Sequence, residues 1–119
     1  MEFITAEQFL KEDKEVQKVF IKYFKDTSTI VCDSTLNSID IMTYTQFRIN
    51  NGYIPLLTEG QLRKFIESKT GAKYIELEHY LKTGYDIYIE NMLFEDLGND
   101  LLQAYWKVAV QIAKENIDN

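Results

Sequence analysis

The chain has 119 residues, of which 45% are hydrophobic and 27% are charged, a composition typical of a soluble globular protein. That length suits one domain, residues 1–119, around a single core. A formal net charge of −6 disfavours nucleic acid and anionic membranes as partners, because both carry negative charge themselves.

The first segment, residues 1–25, is predicted to be helical. Thr5 with Gln8 can cap a short first turn, and Asp13 can restart the helix after a polar run. Apolar residues then recur at spacings of three and four, namely Val16, Val19, Phe20, Tyr23 and Phe24. Such a stripe is typical of a face packed in a core, and a groove-binding helix is the alternative.

Residues 26–53 are predicted to form a loop-rich β segment with one or two short strands. Residues 29–32 are rich in β-branched side chains and indicate a strand, and residues 39–47 indicate an extended piece. Residues 33–38 are loop-like, and Asn-Asn-Gly at 50–52 is a turn signal.

Residues 54–71 are predicted to form a capped helix with an extended entry. Pro55, the only proline, favours extended backbone before it and cannot occupy the middle of a sheet. Thr58 and Gln61 have the spacing of a capping box, and Gly71 follows the last turn as a left-handed closing residue.

Gly60 lies inside the first turn of that helix, where glycine lowers helix propensity. One explanation is that a first turn tolerates glycine. The other is that a second backbone, or an anion, approaches the helix N-terminus closely.

Residues 73–95 alternate as a β-hairpin, with Gly84 able to take a positive φ in the turn. One face is aliphatic and is expected to meet the helices: Ile75, Leu77, His79, Leu81, Ile87, Ile89 and Leu93. The opposite face is rich in tyrosine and acidic residues and is expected to be partly wet: Tyr74, Glu76, Glu78, Tyr80, Asp86, Tyr88 and Glu90.

Residues 99–117 are predicted to form the last helix, capped by Asp100 with Gln103. Its apolar stripe is unusually broad, because Trp106, Val110 and Ile117 extend it around one flank. A helix that is apolar this far round is either deeply buried or shared with a partner. The elements together predict an α+β fold, in which three helices flank a small antiparallel sheet made of the hairpin and one or two short strands.

Signals for catalysis are weak in this sequence. His79 and Cys32 are single and far apart, so neither a metal site nor a catalytic pair is indicated. Glu76, Glu78 and Glu90 could share a strand face and hold a cation or act as an acid and base, but a solvated face is the simpler interpretation. No phosphate-binding loop, dinucleotide fingerprint or nucleophile elbow is present. We therefore expect a protein that is not an enzyme and uses no metal or cofactor.

The sequence also predicts where in the cell the protein is located. The N-terminal residues lack a basic region and an apolar core, so a signal peptide is not expected. No apolar run approaches the roughly 20 residues that span a membrane. Because Cys32 is the only cysteine, an internal disulfide cannot form, and we expect a cytoplasmic protein.

Two stretches carry a family resemblance. Residues 54–67, Ile-Pro-Leu-Leu-Thr-Glu-Gly-Gln-Leu-Arg-Lys-Phe-Ile-Glu, and residues 101–110, Leu-Leu-Gln-Ala-Tyr-Trp-Lys-Val-Ala-Val, resemble small proteins of phages and prophages of Gram-positive bacteria. The layout also resembles the phage ABA-sandwich domain, in which helices flank a small sheet. The resemblance covers roughly residues 53–116 and implies an accessory phage product acting in the host cytoplasm, with no active site to transfer.

The leading hypothesis is a non-enzymatic phage accessory protein that binds a host or phage protein as a homo-oligomer. The candidate interaction surface comprises Tyr74, Glu76, Glu78, Tyr80, Tyr88, Glu90, Trp106, Val110 and Ile117. An alternative is a small-ligand or nucleotide-binding module, in which tyrosines stack and Arg48, Arg63 or Lys64 contacts an anion.

Overall fold

The structure of the protein, a computed structural model, describes residues 2–24, 28–33, 38–43 and 53–117. Within these ranges the chain forms four helices and six strands, so the predicted α+β class is confirmed. The helices are α1 (Ala6–Lys11), α2 (Lys14–Tyr23), α3 (Glu59–Thr70) and α4 (Leu101–Glu115). The strands are β1 (Ser28–Asp33), β2 (Ser38–Thr43), β3 (Tyr53–Pro55), β4 (Ile75–Tyr80), β5 (Gly84–Ile89) and β6 (Met92–Phe94).

The strands divide into two antiparallel sheets of three, in the orders β2-β1-β3 and β4-β5-β6. The strand predicted at residues 29–32 is confirmed by β1, and β2 confirms the first part of the extended piece. Pro55 lies in β3, at the edge of its sheet, which is the position where a sheet tolerates proline. The rest of the extended piece, most of the predicted loop at 33–38 and the turn at 50–52 lie outside the described residues.

The N-terminal segment is two helices rather than one. Thr5 and Gln8 form a complete capping box at the start of α1. The chain then breaks at Glu12, and the buried amide of Gln17 donates to the Glu12 carbonyl at 2.8 Å. Asp13 precedes α2, but its side chain makes no capping bond. The break therefore persists because Gln17 satisfies a carbonyl that a continuous helix would have paired.

The central helix α3 follows the prediction closely. The side chain of Thr58 accepts from the backbone N–H of Gln61, whose own side chain reaches back to the N-cap. Gly71 closes the helix in the left-handed conformation, with φ of 66°. A side chain on Gly60 would meet nothing within 4 Å. The explanation that another backbone approaches Gly60 is therefore wrong, which leaves the tolerance of a first turn as the simpler explanation for this glycine.

An aromatic cluster joins three of the helices. The ring of Phe20 in α2 lies 4.7 Å from that of Phe65 in α3 and 5.2 Å from that of Trp106 in α4. Trp106 and Val110 are accordingly buried. The breadth of the apolar stripe on α4 is thus explained inside the chain, because α2 and α3 cover what a single packing face would have left exposed.

The start of α4 is tied to α1. Asp100 accepts from the backbone N–H of Gln103 at 2.9 Å, as the capping motif predicts. Within the described residues, the side chain of Gln103 does not bond back to the N-cap as the motif predicts. Its side-chain amide pairs with that of Gln8 instead, donating to the Gln8 carbonyl oxygen at 3.2 Å. This amide pair fixes the N-terminal helix against the last one.

Residues 96–98 run alongside the start of β5 and bury one side chain that is predicted to lie on the wet face of the hairpin. Gly84, with φ of 87°, pairs with Gly98, and the Tyr85 N–H donates to the Gly98 carbonyl at 2.7 Å. Asp86 was predicted to be wet, but it is buried, and its carboxylate accepts from the backbone N–H of Asp96 at 3.0 Å. A carboxylate tolerates that position because the N–H compensates for lost water.

The return strand also ends earlier than predicted. The chain turns at Glu90, which has a positive φ of 51°, so β6 is a separate strand. Leu93 consequently pairs with Tyr88 and shares its face, rather than the face of Ile87. Within the described residues, none of the helices combines the length and the apolar character needed to cross a membrane.

Candidate functional site

Exposed apolar side chains concentrate on one sheet. Among the described side chains, seven large hydrophobic residues are exposed, and six of them belong to the β4-β5-β6 sheet or its turn. These six are Tyr74, Leu77, Tyr80, Leu81, Met92 and Leu93, and we call them the β4–β6 surface. The seventh, Leu10, lies in α1. Single exposed apolar residues are ordinary. The register places Tyr80 and Leu93 on the face of Tyr88, and Leu77 and Met92 on the opposite face, so this small sheet exposes apolar side chains on both faces. Such a concentration is typical of an interaction site.

The position of β4 explains this exposure. It is an edge strand, and α4 packs against the central strand β5. Only Ile75, at the start of β4, is half-buried, while the rest of the strand is exposed. The prediction that Leu77, His79 and Leu81 meet the helices is therefore wrong, because the core reaches the outer strand only at Ile75. Leu81, in the turn, is 92% exposed.

Glu78 organises the tyrosines on the other face of the same strand. Its Oε1 atom accepts hydrogen bonds from the hydroxyls of Tyr88 at 2.7 Å and Tyr80 at 3.1 Å. The hydrogen bond to Glu78 raises the pKa of Tyr88 to about 12, with smaller contributions from desolvation and from the Glu78 charge. The same carboxylate raises the pKa of Tyr80, chiefly through its hydrogen bond. These two predicted surface tyrosines are thus brought together.

The other predicted residues of this face, Glu76, Tyr74 and Glu90, lie on β4, just before it and in the turn after β5. Glu76 is exposed and lies opposite Tyr88 in the β4–β5 register. Tyr74 is exposed just before β4. Glu90 lies in the turn after β5, where its carboxylate accepts from the backbone N–H of Lys73. Glu90 therefore joins the two ends of the hairpin, whereas Glu78 accepts hydrogen bonds from the tyrosines.

His79 is on the surface rather than inside. Its Nε2 atom lies 3.0 Å from the side-chain oxygen of Asn99, and its ring lies 4.6 Å from that of Tyr85. These contacts link the outer strand to the residue before the N-cap of α4. Among the described residues, no three His, Cys, Asp or Glu side chains come close enough to hold a metal ion.

Two of the three C-terminal members of the predicted surface belong to the interior. Trp106 and Val110 are buried, and Ile117 is half-buried against the core. In the folded monomer these side chains pack inside the chain and offer little area to a partner.

The predicted anion contacts on α3 do not belong to the sheet that carries Tyr80 and Tyr88. Their tyrosine neighbours are Tyr105, which is close to Arg63, and Tyr23, whose hydroxyl donates to the Lys64 carbonyl at 3.2 Å. Arg63 and Lys64 are exposed on α3, and Arg63 lies 3.8 Å from Glu59. Arg48 is outside the described residues. A cleft of about 420 Å³ does lie between the starts of α3 and α4, and Gly60 lines it. Its walls also carry Glu2, Glu59 and Asp100, whose negative charge opposes a phosphate group.

Sequence reasoning missed four members of the β4–β6 surface: Leu77, Leu81, Met92 and Leu93. Their signal was present, since both faces of β4 carry large apolar or aromatic residues. Alternation shows which side chains share a face, but it does not show whether a helix covers that face.

Comparison with known proteins adds no further constraint. No family model, curated protein or solved structure matches this chain.

Proposed function

We propose that this chain is a non-enzymatic binding protein that recognises a basic protein partner through the β4–β6 surface. The observation that carries the proposal is the concentration of exposed apolar side chains on this one sheet. Burying such side chains against a partner removes apolar area from water, which is the main driving force of protein association. Tyrosines add contact area at a low cost in conformational entropy.

The charge of the same region selects the partner. Residues 73–96 contain six acidic and two basic side chains, so they carry most of the net charge of −6. The hydrogen bond to Glu78 raises the pKa of Tyr80, and the nearby negative charges of Glu78, Asp86 and Glu95 raise it further. These carboxylates together make the surroundings of Tyr80 negative. Electrostatic complementarity therefore favours a partner with Lys or Arg side chains.

The resemblance to phage proteins supports an accessory role in a bacterial host, with the partner a host or phage protein. Self-association is a second arrangement. The expectation of a homo-oligomer rested on the flank of α4, and burial of Trp106 and Val110 removes that support. Light scattering decides the question, because a homo-oligomer shows a multiple of the 14.0 kDa chain mass.

The experiment compares matched surface variants. A photo-crosslinking residue at Tyr74, which is exposed just before β4, captures the partner from a Gram-positive host lysate, and the captured protein is then identified and purified. Binding is measured for the wild type, for Tyr80→Ser and Leu93→Ser singly and together, and for Leu10→Ser as the control for the single variants. Tyr80 and Leu10 are each 47% exposed, so both substitutions remove a comparably exposed apolar side chain.

We expect the Tyr80/Leu93 double variant to bind about tenfold or more weakly, or about 1.4 kcal/mol, and the Leu10 variant to bind like the wild type. Unchanged affinity of the double variant, or equal losses in the Tyr80 and Leu10 single variants, would contradict the proposal. Failure of the purified protein to bind the wild type would contradict it as well.

A further inference from the structure

The outer strand of the β4–β6 surface has a free edge. β4 lies at one end of the order β4-β5-β6, and among the described residues only β5 pairs with it. Its register with β5 is continuous, from Ile75 opposite Ile89 to Tyr80 opposite Gly84. Every second residue of β4 consequently directs its backbone N–H and C=O away from the sheet. Such an edge is a template on which another strand can form a regular ladder.

Of the usual protections of an edge strand, β4 has only charged side chains. Its sequence, Ile-Glu-Leu-Glu-His-Tyr, contains no proline and no lysine, and its one-to-one register with β5 contains no bulge. The strand has six residues, close to the usual strand length. Its only charged residues are Glu76 and Glu78, which lie on the same face. These two carboxylates therefore decide which strands can be added.

The carboxylates oppose pairing with a second copy. In a symmetric antiparallel pair of β4 strands, opposed residues lie on the same face of the joined sheet. Every register centred on the acidic part then sets Glu76 or Glu78 opposite a glutamate of the other copy. Like charges directly opposite each other destabilise a strand pair, whereas opposite charges stabilise it. The edge is thus suited to a basic strand and unsuited to itself.

We infer that β4 accepts an extended segment of the partner as an additional strand, in which basic and apolar residues alternate. This inference rests on the proposed function and specifies how that surface would bind. Basic side chains of the segment lie beside Glu76 and Glu78 and over the tyrosine rings near them. Its apolar side chains lie on the opposite face, beside Leu77, which is 42% exposed. The backbone supplies affinity through the ladder, and the alternation supplies specificity.

The test uses synthetic peptides and the intact chain. The first peptide is a heptapeptide alternating lysine with valine, and the second has the same composition with all lysines before the valines. A third alternates like the first but carries N-methyl groups on alternate amides, so that its edge cannot donate to the ladder. Affinity and the affected amides are measured by NMR titration of the isotope-labelled protein. The first two peptides carry equal charge, so they separate the pattern from simple attraction.

The alternating peptide is expected to bind about tenfold more tightly than the other two, which corresponds to about 1.4 kcal/mol. Its shift changes should centre on residues 75–80. Charge reversal by Glu76→Lys/Glu78→Lys should weaken it by a similar factor. The matched control, Glu7→Lys/Glu67→Lys, changes two exposed carboxylates on helices by the same net charge and should bind normally.

Equal affinity for the alternating and block peptides, or no binding of either, would overturn strand addition. So would shift changes outside the β4–β6 sheet, or equal losses in both charge-reversal variants. The peptide comparison uses the wild-type chain, so it holds even if a variant folds poorly. If strand addition fails while the captured partner still depends on Tyr80 and Leu93, the proposed function stands and only the binding mode is wrong.

Discussion

Gly84 begins β5, and alanine at this position is expected to destabilise the protein strongly. A Cβ there would lie 2.1 Å from the carbonyl carbon and oxygen of Gly98, far inside van der Waals contact. The backbone at Gly84 also has φ of 87°, which L-residues avoid. The substitution therefore strains the turn and forces residues 96–98 away from the strand that supports β4.

The loss of stability can be worked out from the backbone strain and from the hydrogen bonds that the substitution breaks. A positive φ costs an L-residue roughly 1–2 kcal/mol. Moving Gly98 breaks the hydrogen bonds from the Tyr85 N–H to the Gly98 carbonyl at 2.7 Å and from the Leu97 N–H to the Tyr85 carbonyl at 2.9 Å. Each such bond contributes roughly 0.5–1.5 kcal/mol. The free energy of unfolding should thus fall by about 2–5 kcal/mol.

Two other glycines provide matched controls, because the chemical change is identical. A Cβ on Gly71 meets nothing within 4 Å, but φ is 66°, so alanine there should cost only the backbone share, about 1–2 kcal/mol. Gly60 is helical and equally open, so alanine there should stabilise the protein by about 0.5–1 kcal/mol.

Urea unfolding of the three variants, followed by far-ultraviolet circular dichroism, gives the free energies of unfolding. The expected order of stability is Gly60→Ala, wild type, Gly71→Ala and Gly84→Ala. If Gly84→Ala is no less stable than Gly71→Ala, the close approach to Gly98 does not exist. If Gly60→Ala is less stable than the wild type, another group occupies the space beside the start of α3.

Three further predictions concern named contacts. Glu78→Gln should lower the pKa of Tyr88 from about 12 towards 10.0 in an absorbance titration, and an unchanged midpoint would refute the role of that hydrogen bond. Because folding raises the pKa of Tyr88, its contribution to stability is present below the unfolded pKa of 10.0 and is lost as pH rises through about 12. Phe20→Ala should cost about 3–5 kcal/mol and weaken the near-ultraviolet dichroism of Trp106, and a cost below about 1 kcal/mol would contradict the aromatic cluster. Thr58→Ala should cost about 1 kcal/mol while Thr58→Ser costs little, and equal losses would show that the hydroxyl does not cap α3.

Local signals predicted local structure well. The start and end of α3 could be identified from Thr58, Gln61 and Gly71, because capping bonds join residues close in sequence. The positive φ of Gly84 followed from its place in a turn. The face shared by Glu76, Glu78 and Tyr88 followed from the two-residue period of a strand.

Burial was harder to predict, because it depends on contacts between distant elements. Trp106 is covered by Phe20 of α2 and not by another protein chain, and no local sequence pattern shows this contact between the two rings. Asp86 is buried because the chain returns at Asp96 to satisfy it. Leu77 is exposed because α4 covers β5 and stops short of β4. The candidate site was therefore half predicted: its tyrosines and glutamates were named, whereas Leu77, Leu81 and Leu93 were assigned to the core and Met92 was not assigned.

The most direct test of the β4–β6 surface is hydrogen exchange, measured on the chain alone and on the chain saturated with its purified captured partner. The account predicts that protection appears in residues 75–80 and 92–94, because these backbone groups border the proposed interface. Unchanged exchange in these strands, with protection confined to α1 and α2, would contradict it.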